Sequence, residues 1–375
     1  MAKLLFFVTE DWYFCSHRLP VARAAQAAGH EVVVACRVHR HAEVIETAGF
    51  RLIPLDLRRG GQNPLQELVS LRAIWRIYRR ERPDIVHHVA LKPVLYGALA
   101  AYLARVPAVV NALTGLGYVF SSPTLKARLL RPFVTLALRG LLNAGRSVLI
   151  LQNPDDGRML VQEGMVEANR IRLIRGSGVD IRRFALCPPA QELLPLVVLP
   201  ARLLRDKGVV EFVAAARLLK AQGVVARFAL VGERDPENAA AIDDQTLADW
   251  MQEGCVECWG RHEDMPAVFA QASIVCLPSY REGLPKALLE AAACGRALVA
   301  TDVPGCREIV IDGHNGLLVP VQDVVALAAA LRRLLENAAW RDTLGRNGRA
   351  LVEAEFSEER VMQQTLAVYR ALLGR

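Results

Sequence analysis

Short apolar runs alternate along the chain with longer segments whose apolar positions recur at helical spacing. In the first half the runs are LLFFVT, EVVVAC, RLIPLDL, DIVHHV, AVVNAL and SVLILQ, and the helix-like segments between them include HRLPVARAAQAAG and the stretch ending IWRIYRRER. The second half restarts the rhythm with LVVLPA, ARFALVG, VECWG, SIVCLP and ALVATD. Strands that are apolar on both faces belong to a parallel sheet covered by helices on each side. Right-handed crossovers then wind each set of strands into a doubly wound domain. The Pro-rich stretch CPPAQELLP, residues 187–195, reads as a linker. The last segment, FSEERVMQQTLAVYRALL, predicts one helix capped at Ser357, with glutamates in its first turn. The expectation is an α/β protein with domains at 1–186 and 187–357 and a C-terminal helix, 358–375, crossing back to the first domain. The two domains would face a central cleft at the carboxyl ends of their strands, where ligands of such sheets bind.

Composition supports this plan. A chain of 375 residues, 53% hydrophobic, is too long for one ordinary core and comfortable for two. Its longest apolar stretches fall short of a membrane span, and MAKLLFFVTEDWYF reads as a buried first strand, not a signal peptide. The eight cysteines are scattered and several lie in strand-like runs, which suits reduced thiols in a cytoplasmic protein. Cys255 and Cys258 form a lone C-x-x-C near His262. Without a second pair, two thiols on a strand are the preferred reading over a metal site.

The charge is uneven. Residues 1–185 carry 26 basic and 14 acidic residues, a balance of +12, while the rest of the chain stands at −5. The basic half lacks interleaved aromatic clusters and any nucleic-acid motif, so a nucleic-acid partner is not expected. A phosphate-bearing substrate or an anionic membrane face fits better.

Candidate chemistry concentrates in SYREGLPKALLEAAACG, residues 279–295. Pro285 suits the first turn of a helix and Gly295 its end, so Glu282 and Gly283 precede the helix and Glu290 lies inside it. A helix N-terminus at a sheet mouth attracts anions, and a carboxylate further along can accept bonds from a diol such as ribose. Upstream, ARLLRDKG places Arg202 and Lys207 around a strand-to-helix turn. Arg offers phosphate a fork and Lys a point charge.

These segments, with LVGERD, VECWGRHEDMP, ATDVPGCREIV and DGHNGLLVP in order, resemble a family 4 glycosyltransferase of the GT-B fold. HRLP, HHVALKPVLYG, NALTGLGYVF and LQNPDD are similar to a bacterial subgroup that extends lipid-linked sugars. The resemblance implies a retaining hexosyl- or N-acetylhexosaminyl-transferase that uses a nucleotide sugar, UDP-linked, as substrate and needs no metal. Residues 1–186 would bind the acceptor and 187–357 the nucleotide sugar. Glu290 would bind ribose hydroxyls, Arg202 and Lys207 the diphosphate, and Glu282 the transferred sugar. The amides of Gly283 and Leu284 would help at sugar and phosphate. Trp259, Gly260 and Arg261 would border the base, with Gly232 allowing close approach. The chain departs from the family twice: Pro285 supplies no N–H where the common pattern has Gly-Phe-Gly, and the usual His-x-His reads His87–His88–Val89.

The first half holds the acceptor-side candidates. His87 or His88 would be the catalytic histidine, the alternative being one core histidine and one polar edge residue. Lys92, His17 and Arg18 would meet the acceptor. Residues 125–146 place Lys126, Arg128, Arg131, Arg139 and Arg146 among leucines at helical spacing. This is either a helix lying on an anionic membrane or a core-packing helix with a solvated basic face. Arg72, Arg76, Arg79, Arg80 and Arg82 would add to the basic face. TGLGYVF, with Gly115 and Gly117, reads as an acceptor-side loop. The expected function is sugar transfer to a polyprenyl-diphosphate-linked saccharide in surface-polysaccharide or glycan assembly, peripheral to the inner face of the plasma membrane. A soluble acceptor, a nucleotide-sugar epimerase and a non-catalytic nucleotide-sugar-binding subunit are the alternatives.

Overall fold

The computed structural model describes every residue except 58–63, 116–119, 121–124, 189–193, 237, 239 and 375, and omits the side chains of 64, 65 and 125–127. Gly117, the side chain of Lys126 and the middle of the expected linker therefore lie outside what is described.

The chain divides into two compact units, Met1–Ser177 with Glu359–Arg375, and Gly178–Glu358. The first holds the strands β1 (Lys3–Glu10), β2 (Glu31–Arg37), β3 (Arg51–Pro54), β4 (Ile85–Val89), β5 (Ala108–Leu113), β6 (Ser147–Leu151) and β7 (Ile171–Leu173). They form one parallel sheet in the order β3-β2-β1-β4-β5-β6-β7. The order reverses direction between β1 and β4. Its helices are α1 (Asp11–His17), α2 (Leu19–Ala27), α3 (Ala42–Thr47), α4 (Pro64–Glu81), α5 (Leu91–Ala104), α6 (Leu125–Leu142) and α7 (Pro154–Gln162).

Strand alternation explains the unbroken apolar run Leu4–Val8 of β1. Leu4, Phe6 and Val8 pack on one face against Phe14, Val21 and Ala25. Leu5 and Phe7 pack on the other against Ile74, Tyr78 and Ala101. Burying one phenylalanine on each face contributes about 2–3 kcal/mol apiece.

The second unit repeats the plan with β8 (Leu196–Pro200), β9 (Arg227–Val231), β10 (Glu257–Gly260), β11 (Ile274–Leu277), β12 (Ala297–Thr301) and β13 (Gly316–Val319). Its order is β10-β9-β8-β11-β12-β13, again parallel, with the reversal between β8 and β11. The helices are α8 (Val209–Ala221), α9 (Asp244–Gln252), α10 (Met265–Gln271), α11 (Lys286–Ala293), α12 (Pro304–Arg307), α13 (Val324–Glu336) and α14 (Ala338–Glu355). Leu196 and Val198 enter one core layer while Val197 and Leu199 enter the other.

The terminal helix α15 (Glu358–Leu373) packs Val361, Val368 and Tyr369 into the first unit's core.

Three details differ from the pattern reading. The unit boundary falls at Ser177–Gly178, not after residue 186. Residues 178–186 are tied to the end of the second unit: Val179 N–H donates to Phe356 at 3.0 Å, and Arg349 donates to the carbonyls of Phe184 and Ile181. The segment after β1 is two helices, not one. The break is at Arg18, and Pro20 occupies the first turn of α2. Finally, β7 and β13 extend the two sheets beyond the runs expected, because strands of three or four residues carry little periodic signal.

Candidate active site

In the second unit the reversal point brings two loops together. One follows β8 and carries Arg202 and a tight turn, Arg205–Lys207. The other follows β11 and carries Ser279–Leu284 before α11. Backbone and side-chain bonds join them: Tyr280 N–H donates to the Asp206 carbonyl at 2.9 Å, and Tyr280 OH to Glu211 at 2.7 Å. Thr301 donates to the Ser279 carbonyl from below. Leu284 is buried in the core and pins the second loop.

Held this way, Lys207 Nζ lies 2.6 Å from Glu282 Oε1, with the side chains 20% and 11% exposed. This pair joins the ends of two strands at the position where doubly wound sheets bind ligands. A partly buried ammonium and carboxylate can each exchange the other for substrate, Lys207 toward phosphate oxygens and Glu282 toward hydroxyls.

The neighbouring candidates follow from the same loops. Arg202 is ion-paired to Asp235, a partner that sequence reasoning missed. Glu290 sits on the second turn of α11, 3.6 Å from Lys286. Burial pushes its carboxyl above the usual range, and Lys286 and Arg183 oppose that shift. Pro285 caps α11, and its φ of −72° is that of a proline entering a helix. A Cβ at Gly232 would stand 1.9 Å from the Ala201 carbonyl oxygen, so two strand ends approach closely there. Its N–H donates to the Gly260 carbonyl at 2.8 Å. Arg261 is exposed and 3.4 Å from Glu233.

The first unit corrects the histidine reading. His87 and His88 are 1% and 0% exposed, one on each face of β4. His88 is clamped between Tyr78 OH at 2.9 Å and Asn111 Oδ1 at 2.8 Å, and burial lowers its pKa to about 4. His87 stacks on Phe6 and shares a 2.6 Å hydrogen bond with Tyr369 OH. Burial, then the charge of Arg18, holds it well below the ordinary imidazole range. Both rings are buried and neutral, because both faces of a central parallel strand are covered, and His87 Nε2 is left without a partner.

The other first-unit candidates are dispersed. His17 stacks on Tyr13 with ring centroids 4.1 Å apart and meets Ser16 Oγ at 2.6 Å. Lys92 is bonded to Glu67 at 2.9 Å. Arg18 is only 2% exposed.

Two parallel doubly wound units, one carrying a cation–carboxylate pair at its reversal point, define the GT-B architecture of sugar-transferring enzymes. Comparison with known proteins agrees. Residues 195–337 match the family described as glycosyl transferases group 1, and residues 3–151 match glycosyl transferase 4-like. The chain belongs to this group 1, family 4-like class of glycosyltransferases.

It is 28% identical, over 94% of each chain, to the N,N'-diacetylbacillosaminyl-diphospho-undecaprenol alpha-1,3-N-acetylgalactosaminyltransferase of Campylobacter jejuni. It is 25% identical to the UDP-Gal:alpha-D-GlcNAc-diphosphoundecaprenol alpha-1,3-galactosyltransferase of Escherichia coli, over 73% of this chain and 72% of that one. Among solved structures, HepE of Anabaena in complex with UDP and glucose superposes with a TM-score of 0.81 at 19% identity, over 99% of this chain and 100% of that one. At that identity the likeness concerns the fold.

Proposed function

We propose that this glycosyltransferase moves a hexosyl or N-acetylhexosaminyl group from a UDP-sugar to a saccharide carried on a polyprenyl diphosphate, with retention of anomeric configuration. The observation that carries the donor side is the Lys207–Glu282 pair at the β8/β11 reversal. Lys207, with Arg202, takes the diphosphate. The amides of Gly283 and Leu284 border it, and Glu282 turns to the sugar hydroxyls. Glu290 accepts from the ribose. Gly260 and Arg261 edge the base, and Gly232 holds the strand end behind them. The bond from the anomeric carbon to the diphosphate oxygen breaks as the acceptor oxygen attacks the same face. The acceptor proton passes to the departing diphosphate, whose charge the cations stabilise. No metal has a part in this scheme. The acceptor class is supported by the two undecaprenyl-diphosphate enzymes, one covering nearly the whole length.

Membrane contact belongs to the same reading. No helix among the described residues is long and apolar enough to cross a membrane. On α6, however, Leu129, Phe133 and Leu136 are 62%, 73% and 70% exposed, alongside exposed Arg128 and Arg139. On α4, Leu68 and Val69 stand out to solvent with Arg72, Arg76, Arg79 and Arg80. Apolar side chains beside arginines suit the surface of an anionic bilayer, here the inner face of the plasma membrane.

The deciding experiment is a donor panel against a polyprenyl-diphosphate saccharide. Nucleotide release and the anomeric configuration of the product, by NMR, are the readouts. Retained configuration with a UDP-sugar is the expected result. Inverted product, an epimerised donor, or binding without turnover overturns the proposal.

A further inference from the structure

The strongest unexplained group in the molecule is Arg18. It lies between α1 and α2, 2% exposed, and its Nε is buried without an acceptor. Among the described residues no carboxylate, carbonyl or hydroxyl accepts from its guanidinium. A buried N–H donor left without an acceptor costs about 1–3 kcal/mol.

The nearby acids do not supply one. Asp11 accepts from the amides of Trp12, His39 and His41, at 2.7, 2.7 and 2.9 Å. Glu10 is 2.9 Å from the His39 ring and 3.9 Å from Arg37. Arg18 is also the N-cap of α2, whose start has no capping side chain, so its charge adds to the positive end of the helix.

A second orphan lies close in the fold: Arg18 N–H donates to the Phe14 carbonyl at 2.8 Å, the Phe14 ring packs edge-on against Phe6, and Phe6 stacks on His87. His87 Nδ1 is taken by Tyr369 OH, while His87 Nε2 is buried and unpaired. When the tyrosine donates to Nδ1, the imidazole proton sits on Nε2, which is then a second buried donor without an acceptor. These groups flank the β1/β4 reversal of the first unit, the position at which doubly wound sheets bind ligands.

We infer that Arg18, with His87 Nε2 as a neutral second donor, forms an oxyanion site in the first unit that takes the diphosphate of the acceptor. The ligand class, a phosphate or diphosphate ester, follows from two donors with no internal acceptor. Its assignment to the acceptor rests on the transfer reading above. His87 is a positioning and binding group in this role, not an acid or base.

The test separates the two layers. Inorganic pyrophosphate is titrated calorimetrically into full-length protein carrying Arg202→Ala and Lys207→Ala, which silences the second unit's cations. Binding is expected to persist there and to weaken at least tenfold when Arg18→Met is added, with Arg18→Lys intermediate. The melting temperature of Arg18→Met without ligand is expected to equal or exceed that of its parent, since a buried donor without an acceptor has been removed. Unchanged pyrophosphate binding, or a lower melting temperature with binding intact, overturns the site.

In the otherwise unaltered enzyme, Arg18→Met should raise KM for the lipid-diphosphate saccharide at least tenfold and change UDP affinity less than twofold. If pyrophosphate binding is lost while that KM is unmoved, the site takes a free phosphate and the acceptor assignment fails. If the unaltered protein transfers no sugar but pyrophosphate binding still depends on Arg18, the transfer reading fails and the oxyanion site stands.

Discussion

Replacing Glu282 by glutamine tests how the Lys207–Glu282 pair is used. At 2.6 Å the gross attraction is about 6 kcal/mol for an effective dielectric near 20, most of it offset by desolvation and ordering. Lys207 therefore enters the donor complex by exchanging one anion for another. Glutamine keeps the shape and a carbonyl acceptor but deletes the charge that competes with phosphate for the ammonium. Removing that competitor, and its repulsion of the diphosphate, should tighten UDP binding by about 1 kcal/mol, roughly fivefold. Lys207→Ala deletes a charge-assisted bond and should weaken UDP by about 2–3 kcal/mol, roughly 30- to 150-fold. Both variants should lose transfer, on the order of 100-fold or more, because each removes a group used as the sugar departs. Calorimetric titration with UDP gives the two affinities, and nucleotide release from the donor gives the rates. The opposite signs on UDP binding are the discriminating feature. If Glu282→Gln weakens UDP as much as Lys207→Ala does, the pair is a structural unit and its proposed division of labour is wrong.

The core histidines make stability acid-sensitive. His88 has its pKa lowered from 6.5 to about 4, so the unfolded chain binds its proton first. Its contribution is complete above pH 6.5 and is lost as pH falls toward 4, about 2 kcal/mol by pH 5. His87 acts in the same direction. Urea midpoints measured from pH 7.5 to 5 should fall accordingly, and a flat profile would contradict the burial argument. At Gly305, an added Cβ would lie 2.6 Å from the Glu282 carbonyl oxygen and the Gly283 carbonyl carbon. Gly305→Ala should displace the site loop and cut transfer at least tenfold for about 1–3 kcal/mol of stability; unchanged donor KM and kcat would count against α12 as its support. On α6, Phe133→Asp with Leu136→Asp should reduce flotation with anionic liposomes at least thirtyfold, given about 1.5–3 kcal/mol per buried side chain. Equal flotation of the double variant would remove that helix from the proposed membrane face.

Some of this was legible along the chain. The alternation of β1, with Leu4, Phe6 and Val8 on one face and Leu5 and Phe7 on the other, gives the parallel layered fold, because only a strand covered on both sides is apolar at every position. The loop-then-helix placement of Glu282 and Glu290 follows from Pro285 and Gly295. The partners of those groups were not legible. Asp235 is 33 residues from Arg202, and Glu282 is 75 from Lys207. Nothing periodic connects positions joined only by strand order.

The histidines mark the same limit. His87–His88 has the composition of a reactive site at a strand end. Yet a strand sends successive side chains to opposite faces, and in this sheet both faces are closed, by Tyr369 of α15 on one side and Tyr78 of α4 on the other. By itself the sequence determined the two doubly wound units and the loops that carry the acids and cations, since these depend on local periodicity and turn chemistry. Only the tertiary structure decided which charges are paired, which histidines are core, and that Arg18 is buried without a partner. Those facts depend on what packs against each side chain from distant parts of the chain.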